Sequence, residues 1–106
     1  MTFEEYQAAI EGFAVYPREN ELAAISYLAL GLNGEAGEVA EQVKKAIRND
    51  GHLSSERREN IKQELGDVLW YAARIAAEFN VSLSQIAAAN VEKLQNRKTL
   101  NQLKHE

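Results

Sequence analysis

The sequence predicts an all-α fold, a four-helix bundle completed by association into a dimer or a dimer of dimers. Three observations predict it. Six glycines and a single proline, Pro17, leave little room for a loop-rich fold in 106 residues. Apolar residues recur at spacings of three and four along most of the chain, the period of an amphipathic helix. Capping residues stand where these periodic stretches begin.

The first stretch, about Thr2 to Val15, sets Phe3, Tyr6, Ile10 and Phe13 on one face, with Thr2 as N-cap and Pro17 marking the break. The second runs from about Asn20 to Arg48 through Ile25, Leu28, Leu32, Val39, Val43 and Ile47, and Asn49-Asp50-Gly51 ends it in a turn. The third starts near Ser54 or Ser55, carries Ile61, Leu65, Val68, Ala72, Ile75 and Phe79, and stops at Asn80. The fourth opens on a capping box of Ser82 and Gln85, with Val81 and Ile86 as its hydrophobic staple, and continues to about Lys98. The polar tail from residue 98 or 99 to Glu106 is expected to fray.

The second stretch is long for so small a chain. At about 1.5 Å per residue it makes a rod of roughly 40 Å, whereas a compact domain of this length has a radius of gyration near 13 Å. Either the helix breaks near Gly31 and Gly34, or another subunit covers its ends.

Length and composition fit one domain over residues 1–106, with 45% hydrophobic and 26% charged residues. The net charge of −4 lacks the basic footprint of a nucleic-acid binder. The absence of cysteine rules out disulfides, thiolate zinc sites and cysteine nucleophiles. No basic leader precedes an apolar run, and no window approaches eighteen apolar residues, so no membrane span is expected and the location reads as cytoplasmic.

Four carboxylates stand out. Glu35 and Glu38 lie three apart on the second helix, and Glu64 and Asp67 lie three apart on the third. Residues at that spacing share one helix face. Such pairs are common on solvated helices, so their position relative to the apolar stripe decides their meaning. At about 100° per residue, Leu28, Val39 and Ala46 project within roughly 40° of Glu35. Glu35 thus lies inside the stripe and Glu38 borders it, while Glu41 projects into solvent. Glu64 falls on the edge of the third helix's stripe, between Tyr71 and Ile75, and Asp67 sits just outside it on the same side.

Two helices packed through these stripes bring four acids to the margin of the core, where they repel and their pKa values rise. Few cations stand ready to neutralise them: Lys45 borders the site face and Arg74 follows Asp67. Hard divalent cations would relieve the repulsion, and an oxygen-only ligand set suits magnesium, with manganese as substitute. A carboxylate di-iron site would need Glu followed by His three residues later. His52 and His105 follow Asn49 and Gln102 at that spacing and read as turn and tail residues. Gly31, Gly34 and Gly37 do not form a phosphate-binding loop of the Walker type. Each costs about 1 kcal/mol against Ala in a helix, which points to close approach by a neighbouring helix or by a phosphate.

Gly34-Glu35-Ala36-Gly37-Glu38-Val39-Ala40-Glu41 and Glu64-Leu65-Gly66-Asp67-Val68-Leu69 resemble the ExxE and ExxD motifs of the MazG-like all-α nucleoside triphosphate pyrophosphohydrolases. The resemblance extends from about Ser26 to Arg97, with 25 residues between Glu38 and Glu64 and a downstream Asn90-Val91-Glu92-Lys93-Leu94 with Arg97. It implies magnesium-dependent hydrolysis of a nucleoside triphosphate to the monophosphate and pyrophosphate, as in housekeeping enzymes of the deoxynucleotide pool. Glu35, Glu38, Glu64 and Asp67 would hold the metal. Asn90 and Lys93 would meet the nucleotide, and Tyr71 matches an aromatic that stacks on the base in some relatives. Members are homodimers or homotetramers with sites between helices of different subunits. Lys45, Lys93 or Arg97 would offset charge on the departing pyrophosphate, and Glu38 is the candidate acceptor of the water's proton. Some relatives carry a further acid just before the ExxE pair, where this chain has Gly34.

Plainer roles compete for several of these residues. Tyr71 could be a rim residue of the core, and Trp70, projecting beyond Asp67, reads as a subunit contact. Tyr16 and Tyr27 could line the pocket. Lys44, Lys45, Arg97 and Lys98 also suit the negative ends of their helices. Two other functions fit the same pattern: a non-catalytic helical interaction or regulatory dimer, and a hydrolase of another phosphorylated metabolite such as phosphoribosyl-ATP.

Overall fold

A computed structural model describes residues 1–100 and shows four α-helices with no strand among those residues. Helix α1 spans Phe3–Ile10. Thr2 and Glu5 close a reciprocal capping box at its start, the Glu5 amide donating to Thr2 Oγ1 at 3.1 Å and the Thr2 amide donating to Glu5 Oε1 at 2.7 Å. The helix is shorter than its apolar spacing predicts. It tightens into a 3₁₀ turn at Glu11–Phe13 and then unwinds, because Gly12 is a poor helix former and Pro17 disfavours helical backbone before it.

Helix α2 spans Glu21–Lys45, with Asn20 Oδ1 accepting the Ala23 amide at 2.8 Å. It passes through Gly31, Gly34 and Gly37 without interruption, which settles the first of the two alternatives: the rod does not break at its glycines. It widens instead into a π-helical turn at Ala46–Asp50, closed by Gly51 in the left-handed region at φ 72°. Arg57 clamps this turn by pairing with Asp50 and donating from Nη1 to Gln42 Oε1 at 3.1 Å.

Helix α3 spans Ser55–Glu78 and is capped by Ser54, whose hydroxyl accepts the Arg57 amide at 3.2 Å. It stops at Asn80, whose φ of 60° is the left-handed C′ position. The Val81 amide reaches Ala76 O and the Asn80 amide reaches Ala77 O, both at 3.0 Å, a Schellman ending. Helix α4 spans Leu83–Thr99 and opens on the Ser82–Gln85 capping box. The Leu83 amide also donates to Gln7 Oε1 of α1 at 3.0 Å, which ties the first and last helices together. Ile86 of the expected staple is half-exposed and borders an apolar cavity of about 290 Å³ with Leu32, Ala72, Ile75 and Phe79. The fraying expected of the tail lies beyond the described residues from 101 onward, as does His105; residues 98 and 99 are helical.

Helices α2 and α3 form the antiparallel hairpin on which the rest is mounted. At Gly31 an α3 side chain reaches the α2 backbone. A methyl group there would sit 2.1 Å from Cε1 of Tyr71, so the tyrosine ring lies directly on the α2 backbone. At Gly34, Gly37 and Gly66 an added methyl would meet nothing within 4 Å. The buried apolar core is small: Ile10, Ala24, Leu28, Ala46, Ala73, Ala76 and Leu83. The radius of gyration is 16.6 Å, above the roughly 13 Å of a compact domain this long. The accessible surface is 7596 Å², against about 6,000 Å² for a compact monomer of this size. Much of the excess is apolar, including Val43 and Ile47 on the α2 side and Leu65, Leu69 and Phe79 along α3.

The glycine contacts give opposite expectations. Gly34→Ala should stabilise the protein by up to about 1 kcal/mol through helix propensity. Gly31→Ala should show no such gain, because the methyl displaces Tyr71. Thermal denaturation of the two variants checks this, and an equal gain in both would contradict the contact.

A candidate metal and nucleotide site between α2 and α3

Helix α2 supplies Glu35 one turn beyond Gly31, and α3 supplies Asp67 one turn and Glu64 two turns before Tyr71. The Gly31–Tyr71 seat therefore fixes the distance between the two acidic helix faces. One carboxylate oxygen from each of Glu35, Glu64 and Asp67 lies within 4.8 Å of the others. Glu35 and Glu64 are half-buried, and Asp67 is exposed at the mouth. The Glu35 carboxyl is pushed above its ordinary pKa of 4.5, chiefly by its hydrogen bond with Glu64, then by burial and by the charges of Asp67, Glu64 and Glu38. Like charges crowded together favour the protonated form of a carboxyl in this way. Three converging oxygen donors, with no sulfur or imidazole among them, fit a hard divalent ion of the magnesium or manganese type.

Glu38 stands exposed, outside this group of three but close enough for its charge to act on Glu35. The two cations that the sequence sets beside the acids are turned to other tasks. Lys45 is about 15 Å further along α2 than Glu35 and lies 3.9 Å from Glu41. Arg74 is buried against Glu11, Glu78 and Tyr16.

Beside the acids opens a cavity of about 350 Å³ whose described walls are Phe13, Glu35, Asp67, Trp70 and Tyr71. Acidic and aromatic side chains share its wall. Tyr71 is held edge-on against Trp70, with ring centres 5.0 Å apart. Its hydroxyl pKa is raised by burial first, then by Tyr27 and by the negative charges of Glu35 and Asp67. Trp70, which the helical projection turned away from the stripe, packs against the cluster of Ile10, Ala73 and Leu83. The projection measures direction about α3 alone and misses α1 approaching on that flank. Tyr16 and Tyr27 stack on each other with centres 5.8 Å apart, behind Trp70.

Phe13 escaped sequence reasoning. Its spacing from Ile10 assigned it to the α1 stripe, but α1 ends at Ile10 and the following turn swings it to the cavity. Lys45, Asn90, Lys93 and Arg97 are not among the described wall residues. Asn90 and Lys93 are exposed on α4 and Arg97 is half-buried.

Residues 24–100 match the MazG nucleotide pyrophosphohydrolase domain as a family. The chain belongs to that family. It is also 43% identical over 97 residues to "Gene 37 protein" of Mycobacterium phage L5, a match covering 88% of this chain and 85% of the phage protein. No solved structure matches it. The MazG family acts on nucleoside triphosphates and is all-helical, in keeping with the four helices described here. No helix among the described residues is long and apolar enough to cross a membrane.

The raised pKa of Glu35 has a definite sign. The folded chain binds this proton more tightly than the unfolded chain, so the group loses stability as pH climbs from 4.5 through its raised value. In chelator at neutral pH, Glu35→Gln should therefore melt above the parent protein. With excess magnesium the order should reverse, since the parent gains a ligand-dependent rise in Tm and the variant gains little. Equal Tm shifts with magnesium in both proteins would contradict a role for Glu35 in holding the ion.

Proposed function

We propose that the protein is a magnesium-dependent nucleoside triphosphate pyrophosphohydrolase, cleaving a deoxynucleoside triphosphate to the monophosphate and pyrophosphate. The observation that carries this reading is the convergence of Glu35, Glu64 and Asp67 beside an aromatic cavity in a MazG-family chain. Glu35, Glu38, Glu64 and Asp67 would hold magnesium, with manganese as a substitute. Bound magnesium supplies a water of lowered pKa and screens the phosphate charge. The protein's own part is positioning and electrostatics, most of what phosphoryl-type transfer demands.

Bound to such cations, the carboxylates would seat the triphosphate end at the α2–α3 margin, and the ring of Tyr71 would hold the base end. Water attacks the α-phosphorus, a P–O bond forms, and the bond to the β-phosphate's bridging oxygen breaks. Glu38, exposed and one turn from Glu35 on α2, would accept the proton of that water. Positive charge for the departing pyrophosphate would come from Lys93 and Arg97, with Asn90 as a further nucleotide contact, while Lys45 stands too far along its own α2 to serve the same site. The exposed placement of Asn90 and Lys93 on α4, away from the described cavity wall, supports delivery of these residues by the α4 of a second copy. The excess surface and the apolar α2–α3 face support the same homodimer or homotetramer. A second copy of that face, packed about a two-fold axis, would bury both.

Chromatography of reaction mixtures over the canonical and modified dNTPs tests the bond assignment. Pyrophosphate and monophosphate should appear together and only with a divalent cation; orthophosphate with a diphosphate as first products would defeat it. Glu38→Gln and Asp67→Asn should each lower turnover at least a hundredfold while the helical circular dichroism is retained, and full activity in both would remove the site. Light scattering should return a multiple of the single-chain mass, and a monomer would refute the assembly.

A further inference from the structure

We infer that the segment joining α1 to α2 is a strap that delivers Phe13 to the nucleobase, with buried Arg74 as its positioning residue; this rests on the nucleotide-hydrolase reading above. Arg74 is only 2% exposed, a rare burial for a guanidinium. Its partners Glu11 and Tyr16 come from the strap and Glu78 from α3. Its Nη1 donates to Glu11 Oε2 at 2.8 Å, and its Nε and Nη2 both donate to the Tyr16 hydroxyl at 3.1 Å. Tyr16 donates in turn to Glu78 Oε2, which also accepts from Arg18 Nη2 at 3.0 Å. Glu11 and Tyr16 are thus both fastened to one cation. The two residues flank Phe13, so the clasp fixes the short arc of chain that carries it.

Phe13 is 70% exposed, yet it forms a wall of the cavity shared by Glu35, Asp67, Trp70 and Tyr71. A phenyl ring so placed adds little to the core. It offers a flat apolar face to the same cavity that Glu35 and Asp67 line, within which a triphosphate held at those acids through a bound cation would also have to seat its base. Base-on-aromatic stacking needs only a π-face and tolerates any base. The strap therefore contributes binding strength for the nucleoside half of the substrate and none for the phosphates. Arg74 acts through it, without touching either.

Trp70 is the one tryptophan of the chain and borders the cavity, so its fluorescence reports occupancy. The probes are α,β-methylene analogues of the four canonical dNTPs and inorganic tripolyphosphate, each titrated with magnesium. At least one analogue should bind more tightly than tripolyphosphate. Phe13→Ala should weaken that analogue about tenfold, the scale of one lost stacking contact, leave tripolyphosphate unchanged, and be rescued by Phe13→Tyr. Tyr16→Phe keeps the ring but removes the hydroxyl that joins Arg74 to Glu78. It should weaken the analogue and raise KM without lowering kcat, and add nothing in the Phe13→Ala background. The inference is overturned by unchanged analogue affinity in Phe13→Ala, by additive losses in the double variant, or by analogues no tighter than tripolyphosphate. The last result would leave the hydrolase reading standing. A Phe13-dependent analogue affinity without pyrophosphate release would leave the strap standing and remove the hydrolase.

Discussion

Electrostatic repulsion among carboxylates held on facing helices is the constraint around which this molecule is organised. Three oxygens from Glu35, Glu64 and Asp67 converge within 4.8 Å at the margin of a small core. No hydrophobic gain requires them there, and alanine at any of the three would relieve the strain. The same crowding raises the Glu35 pKa, through its hydrogen bond with Glu64, burial and the neighbouring charges. A dication would relieve the repulsion, and the donor chemistry suits a hard one.

The surrounding fold keeps this arrangement in place. Gly31 brings α2 onto the ring of Tyr71, which sets the helix spacing one turn from Glu35 and Asp67. The π turn and the Arg57 clamp fix the far end of the hairpin, so α3 cannot slide along α2 without breaking them. On the opposite flank, α1 and the strap cover Trp70, and Arg74 and Tyr16 fasten the cover. What remains open is the apolar face of the hairpin, with Val43, Ile47, Leu65 and Leu69 exposed on it.

Local signals in the sequence translated well where the physics is local. Ser82 with Gln85 marked the start of α4, and Asn80 marked the end of α3, because a cap and a left-handed residue act within a few positions. Helical projection placed Glu35 and Glu64 toward a common margin, since both helices run without a break through that region. It failed where a third element decides the outcome. Trp70 and Arg74 point away from the α2–α3 seam, and their partners are α1 and the strap, which no periodicity reveals. Phe13 kept helical spacing past the point where Gly12 and Pro17 end the helix. The widening of α2 at Ala46–Asp50 likewise depends on Gly51 and on an arginine seven residues beyond Asp50.

Crystals grown with manganese, examined by anomalous scattering, test the central claim most directly. A strong anomalous peak should be enclosed by the side chains of Glu35, Glu64 and Asp67, with the hydrogen bond between the two glutamates gone. A map with no peak there, and the two glutamates still hydrogen-bonded, would contradict a metal site.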